Sequence, residues 1–432
     1  MELLPLSVLI LSFFFFIAIG TPVAWSIAIS SLLTIIVTLP SWPAMTTIAQ
    51  RMATGLDSFA LLAIPFFILS GQLMTHGGIA DRLIKFAKTL VGAFPGGLAL
   101  INIISAMLMG AIAGSALASA SAMGAILGPE MEKEGYSKEY GAAVNITSST
   151  IGLVIPPSNV LIIYSLASGG VSIAALFLAG YIPGILTGLF LMVVAAFWAK
   201  RKGYKTRGTS NLSEVARTFV VAFPSLLLLF IVIGGIVAGY FTATEASAIA
   251  VLYTLILGFI YKEIKVKNLP QILLESSKTS AVVMLLIAAS MSMSWILSYE
   301  NIPQNLSDLL LGISDNKVII LLIINVLLLF VGVFMDMTPA VLIFTPIFLP
   351  VVKSIGIDPI QFGIIMVLNL CIGLCTPPVG SVLFVGIGIA KTSIEKVIKP
   401  LLPLFGAMIF ALILISLFPQ LTLWLPHLFG FL

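Results

Sequence analysis

The residues of this chain whose types and spacing could do chemistry lie in two apolar stretches. In the first, Asn145, Thr147, Ser148, Ser149 and Thr150 stand just before Pro156-Pro157-Ser158. In the second, Asn369 to Ser381 carries Gly373, Thr376, Pro377, Pro378 and Gly380. A Pro-Pro pair removes two backbone donors and exposes carbonyls of the preceding turn, which hydrocarbon tolerates only where protein, water or an ion satisfies them. Freed carbonyls with Ser, Thr and Asn oxygens suit a small alkali cation, while half-helix N-termini carry partial positive charge that suits a carboxylate. The alternative for both pairs is a purely structural hinge.

Asp336, in Gly332-Val333-Phe334-Met335-Asp336-Met337-Thr338-Pro339, is flanked by long apolar runs. An ionisable residue at such depth is a functional candidate, for cation binding or coupling. Its other reading is a helix cap ahead of Thr338-Pro339. Glu245 stands at capping-box spacing from Thr242 and reads as a helix-start residue. Gly110, Gly114 and Ala118, at four-residue spacing in a stretch rich in small residues, suit close helix approach. Cys371 and Cys375 read as small buried side chains, with neither a disulfide framework nor a metal site implied. His76 and His427 are isolated and read as solvated. The apolar segments show no nucleophile–base pair or Asp-rich motif for an intramembrane enzyme, and no Walker motif for ATP hydrolysis appears.

The elements that must position these residues follow from composition. The 432 residues are 60% hydrophobic and 9% charged, whereas soluble domains carry about 25% charged residues. A bilayer core about 30 Å thick needs roughly 20 apolar residues per helical crossing, and such stretches follow one another from Leu3 to Leu425. The expected class is an all-α polytopic membrane protein with roughly 11–12 membrane segments and no separate soluble domain. The runs are continuous, not alternating, which excludes a β-barrel. Leu3 to Gly20 reads as a retained span, Thr21 to Leu39 as a second span, and Pro40 to Asp57 as a short connector. Gly77 to Val91 is amphipathic and is expected along the membrane surface. Lys200, Arg201, Lys202, Lys205 and Arg207 form a basic connector expected to be cytoplasmic. The net charge of +4 thus reflects contact with membrane lipid, and no nucleic-acid partner is implied.

That connector falls near mid-chain, which suggests an internal repeat. The shift that carries Pro129 onto Pro350 also aligns Gly135 with Gly356, Gly152 with Gly373, Pro156 with Pro377 and Pro157 with Pro378, without a gap. Asp336 aligns with Ser115. Matched glycines and prolines fix backbone breaks, so two halves interrupt their helices at equivalent places. Inversion of one half against the other is the commoner arrangement in carriers with broken helices.

Read together, Gly55-Leu56-Asp57-Ser58-Phe59, Ala63-Ile64-Pro65-Phe66-Phe67, Gly71-Gln72-Leu73-Met74, Gly114-Ser115-Ala116, Ile155-Pro156-Pro157-Ser158, Thr244-Glu245-Ala246 and Thr376-Pro377-Pro378 resemble a known family. The chain resembles the large membrane subunit of tripartite ATP-independent periplasmic (TRAP) transporters over nearly its whole length. The resemblance implies a scaffold with an elevator-type transport domain, inverted repeats and two re-entrant hairpins. It also implies sodium-coupled uptake across the bacterial inner membrane, with Na+ as coupling ion and no organic cofactor. Implied partners are a small four-helix membrane subunit and a periplasmic substrate-binding protein, delivering a carboxylate-bearing solute such as a dicarboxylate, a sugar acid or sialic acid. The nearest rival is a stand-alone anion carrier or antiporter of the same architecture.

On this resemblance, N-terminal scaffold helices occupy 1–55, a first transport repeat 56–199, the basic connector 200–213 and further scaffold helices 214–278. A second transport repeat takes 279–400 and a C-terminal helix 401–432. Substrate contacts are expected from Gly114, Ser115, Pro156, Pro157, Ser158, Pro377, Pro378 and Gly380. Sodium ligands are expected among Asn145, Ser148, Ser149, Gly152, Asp336, Thr338, Gly373 and Thr376. Two positions depart from the family pattern: Ala113 precedes Gly114-Ser115-Ala116 where serine is usual, and Asn159 follows Pro-Pro-Ser where an apolar residue is commoner.

Overall fold

The computed structural model describes residues 3–92, 94–204, 212–314 and 316–432. Lys205 and Arg207 of the basic connector lie outside the described residues. Every α-helix and 3-10 turn between them packs into an all-helical body. Among the described residues, 8 helices are long and apolar enough to cross a membrane, with shorter apolar helices of 10–17 residues beside them.

The first half runs α1 (Leu3–Ala18), α2 (Val23–Thr38), α3 (Ser41–Gly55), α4 (Ala63–His76) and α5 (Ile79–Val91). It continues through α6 (Gly97–Ala113), α7 (Ala116–Lys133), α8 (Lys138–Ile151), α9 (Asn159–Ala167) and α10 (Ile173–Lys202). The stretch expected to be a connector, Pro40 to Asp57, is helical. Pro43 sits in the first turn of α3, where a missing N–H costs nothing, and Ala44 and Ile48 are buried. The amphipathic α5 buries Ile79, Leu83 and Ala87 while Asp81, Lys85 and Lys88 are exposed. Its apolar face is covered by α6 and by a helix of the second half, so protein rather than lipid occupies that side.

The second half runs α11 (Leu212–Val237), α12 (Ala243–Ile260), α13 (Leu269–Tyr299), α14 (Ile302–Ile313) and α15 (Lys317–Phe334). It ends with α16 (Met337–Ser354), α17 (Pro359–Leu374), α18 (Ser381–Ala390), α19 (Ile394–Leu417) and α20 (Gln420–Leu428). Under the repeat shift α7 coincides with α16 end to end, and α8 and α10 start where α17 and α19 start. The repeat therefore extends well beyond the aligned glycines and prolines. It differs at two joins: where α3 and α4 are separate, α13 is one helix of 31 residues, and where α10 is continuous, α19 and α20 are separate. The domain boundary expected at 278/279 falls inside α13, and that at 400/401 inside α19, so both joins are helical.

The halves meet at α8 and α17, whose residues are buried almost throughout. Cys371 Sγ lies 3.0 Å from the carbonyl oxygen of Thr150. The repeat shift carries Thr150 onto Cys371, and a contact between equivalent positions places the axis relating the halves at this point. Both cysteines are free and fully buried, serving as small side chains at the α8–α17 seam. Glycines permit equivalent close approaches on either side. A Cβ on Gly110 would come 2.6 Å from Gly152 Cα, and one on Gly373 would come 2.6 Å from Gly332 Cα.

Thr242 and Glu245 form the expected capping box at the start of α12: the Glu245 amide donates to Thr242 Oγ1 at 3.2 Å, and the Thr242 amide donates to Glu245 Oε2 at 2.7 Å. Thr242→Ala is expected to cost about 1 kcal/mol, read as a small fall in melting temperature of the detergent-purified protein with transport retained.

Candidate functional site

Four helices begin around one cavity of about 430 Å³. They are α7, α9, α16 and α18, two pairs related by the repeat. Each begins at a break whose residue types forbid a continuous helix. Gly114 takes φ +61, a left-handed backbone that a Cβ would disfavour, and closes α6 with its N–H on the Gly110 carbonyl at 2.9 Å. Ser115 then caps α7, accepting from the Ala118 amide at 3.2 Å. The Ser119 hydroxyl bonds back to the Ala106 carbonyl at 3.2 Å, so α6 and α7 fold as a hairpin with Gly114 and Ser115 at its tip. Between α8 and α9 the chain turns at the cis Pro156-Pro157 bond, and Ser158 Oγ donates to the Leu153 carbonyl at 2.5 Å. The second half breaks likewise at the cis Pro377-Pro378 bond.

Lining the cavity are Gly114 to Ala118 of the first hairpin, Asp336 to Thr338 at the start of α16, Asn159 and Val160 of α9, and Val382 of α18. Its opposite wall comes from α4 and α13, with Gln72, Thr75 and Thr279. Asp336 occupies the cap position of α16 but makes no capping bond. Its carboxylate lies near the Met337 amide and the Ser381 hydroxyl, and that hydroxyl has no partner of good geometry among the described residues. The helix-cap reading of Asp336 thus accounts for its position but not for its unspent acceptor. Among the described residues none that lines it is Lys, Arg or His. What the cavity offers an anion is therefore the positive end of helix dipoles, and what it offers a cation is carboxylate, hydroxyl and amide oxygen.

The expected site residues divide. Gly114, Ser115, Asp336 and Thr338 line the cavity. Pro156, Pro157, Ser158, Pro377, Pro378 and Gly380 do not line it but form the breaks that aim α9 and α18 at it. Gly152 and Gly373 serve the close helix approaches described above. Ser149 donates back within α8 to the Asn145 carbonyl at 2.6 Å, and Thr376, just past the end of α17, donates back to the Ile372 carbonyl at 2.8 Å. Asn145 and Ser148 face α6 and α7 instead, where Ser148 Oγ donates to Asn102 Oδ1 at 3.2 Å. Asn159 packs against the hairpin tip: a Cβ on Gly114 would meet its Nδ2 at 2.5 Å. Its Oδ1 has no partner among the described residues. The sequence pattern does not single out Thr75, Thr279 or Asn102. Gln72 was legible only within a family motif, although a lone amide in an apolar helix is itself a signal.

Comparison with known proteins agrees with this architecture. The family described as tripartite ATP-independent periplasmic transporter, DctM component, matches residues 10–421. The chain is 56% identical over 426 residues to the protein YgiK of Salmonella typhimurium, covering 99% of this chain and 98% of that one. It is 40% identical over 411 residues to the sialic acid TRAP transporter large permease protein SiaM of Vibrio cholerae, covering 95% and 96%. Among solved structures, the YdaH transporter of Alcanivorax borkumensis shares the fold, with a TM-score of 0.63 at 13% identity over 86% of this chain and 87% of that one. The chain belongs to the DctM family: it is the large membrane permease of a tripartite ATP-independent periplasmic transporter, not an enzyme.

Proposed function

We propose that this permease takes up a carboxylate-bearing organic acid together with sodium ions, receiving the acid from a periplasmic binding protein and working with a small four-helix membrane subunit. The observation that carries this reading is the cavity at four helix N-termini, which among the described residues has no basic side chain yet holds the Asp336 carboxylate. A carboxylate entering such a site alone would meet a negative charge with only helix dipoles to offset it. Sodium travelling with it removes that repulsion. The oxygens available fit such a cargo ion: Asp336, Thr338 and Asn159 line the cavity, Asn159 Oδ1 has no partner among the described residues, and the Ser381 hydroxyl lies beside the Asp336 carboxylate. A volume of about 430 Å³ suits a small organic acid, within the usual range of about 300–1,000 Å³ for ligand sites.

In the movement we propose, the two repeats are inverted and the hairpins with the Pro-broken helices carry the loaded cavity, elevator-fashion, past the scaffold helices. Sialic acid, named for the Vibrio cholerae relative, belongs to the expected substrate class of sugar acids and dicarboxylates. The reading is tested by thermal unfolding of the purified permease in sodium or potassium chloride at equal ionic strength. A site with a dissociation constant near ~10 mM adds about 1.4 kcal/mol at ~100 mM sodium. A rise in melting temperature specific to sodium is the expected result; superimposable curves would overturn sodium coupling.

A further inference from the structure

A second, smaller opening lies between α6, α7, α8 and α18. It has a volume of about 110 Å³, with Glu132, Ser137 and Lys138 exposed at its mouth and Asn102 and Asn145 at its floor. Asn145 is 3% and Asn102 1% exposed. Asn145 Nδ2 donates to the Ala120 carbonyl at 2.7 Å, which fixes the orientation of the amide, and Asn145 Oδ1 has no partner among the described residues. Among the described residues Asn102 Oδ1 accepts the Ser148 hydroxyl alone, which leaves a second lone pair.

The fold does not require this opening, as the other repeat shows. Under the repeat shift Gly128, Gly141 and Asn145 become Leu349, Phe362 and Met366, all buried. There the same space is filled with side chains, and Thr345 Oγ1 donates to Met366 Sδ at 3.3 Å. Protein interiors are close-packed by default. A crevice kept open in one half by glycines, over an amide oxygen without a donor, is a built feature. It is too small for an organic acid but holds roughly three or four waters at about 30 Å³ each.

From this geometry we infer that the crevice is a sodium-binding duct, separate from the substrate cavity, whose deepest ligand is Asn145 Oδ1. At the floor stand Asn145 Oδ1, which has no donor among the described residues, and Asn102 Oδ1, the hard oxygen ligands that a small cation takes. At the mouth, Lys138 pairs with Glu132 at 3.4 Å, so no bare positive charge stands there. The inference rests on the sodium-coupled reading above and adds an ion site that the substrate does not touch.

The test uses the full chain carrying Gly128→Cys. A Cβ at Gly128 meets nothing within 4 Å, and both native cysteines are 0% exposed, so labelling by a small charged methanethiosulfonate reports on the crevice. Sodium at ~100 mM is expected to slow labelling roughly tenfold relative to potassium if the dissociation constant is ~10 mM. In the same background Asn145→Met, copying the filled repeat, is expected to abolish this protection, and Asn145→Asp to bring it to lower sodium concentration. Should the Met variant fail to fold, the Asp variant decides alone: an unchanged sodium dependence overturns the duct. Equal labelling rates in the two salts, with the sodium-specific rise in melting temperature intact, overturn the duct and leave sodium coupling standing. Loss of both effects overturns both.

Discussion

Asp336→Asn is expected to lower sodium-driven uptake of the organic acid about 10- to 100-fold, and to remove most of the sodium-specific rise in melting temperature. The substitution keeps the shape of the side chain and takes away the one formal charge that lines the cavity among the described residues. Hydrogen bonds to a charged group are worth about 1.5–3 kcal/mol where a neutral pair gives about 1, and a cation gains at least as much from a carboxylate over an amide by Coulomb attraction. Because Asp336 makes no capping bond, the change removes little from helix α16 itself. Stability in potassium is therefore expected to match the parent protein. Uptake into proteoliposomes under an imposed sodium gradient, measured beside melting curves in both salts, checks the two halves of this expectation. If the Asn protein kept the parent's sodium response in both assays, Asp336 would not be a cation ligand and the electrostatic account of the cavity would fail.

A second large effect is expected from the seam on the other side of the breaks. Gly373→Ala places a methyl group 2.6 Å from two backbone atoms of Gly332, which have no rotamer to turn away. Overpacking of this kind costs about 1–3 kcal/mol in well-packed interiors. The upper end applies here because α15 and α17 must move apart as whole helices. Gly110→Ala meets the equivalent obstacle at Gly152, 2.6 Å from its Cα, and is expected to behave alike. Gly406→Ala, where a Cβ meets nothing within 4 Å, serves as the comparison and is expected to be neutral or slightly stabilising. Melting temperatures of the three variants in potassium chloride order them; equal values would show that the helices are free to separate at these points. A destabilised seam also matters to function, since α8 and α17 end in the two Pro-Pro breaks that aim α9 and α18 at the cavity.

Some of this was determined by the chain alone. Hydropathy fixes the all-helical class because a bilayer admits few other ways to satisfy a backbone. The breaks at Gly114, Pro156-Pro157 and Pro377-Pro378 are equally local, since glycine and proline act on their own dihedrals and donors. Matching those breaks at one constant shift was enough to expose the repeat, and the spacing of Thr242 and Glu245 was enough for the capping box. Amphipathicity marked α5 but not its cover, because an apolar face looks the same whether lipid or protein lies against it.

Which oxygens meet a ligand was decided only by tertiary structure. Asn145, Ser148 and Ser149 stand within two turns of one helix, yet Ser149 bonds back to its own backbone, while Ser148 reaches Asn102 as well as the Asn145 carbonyl. Asn145, meanwhile, floors a crevice away from the cavity that Asp336 lines. Successive residues rotate by about 100° around a helix, so proximity in sequence scatters side chains over faces whose neighbours the sequence does not name. Asp336, Ser115 and Asn159 come from separate segments and share one cavity only because the repeat axis at Thr150 and Cys371 brings four broken helices to a common point.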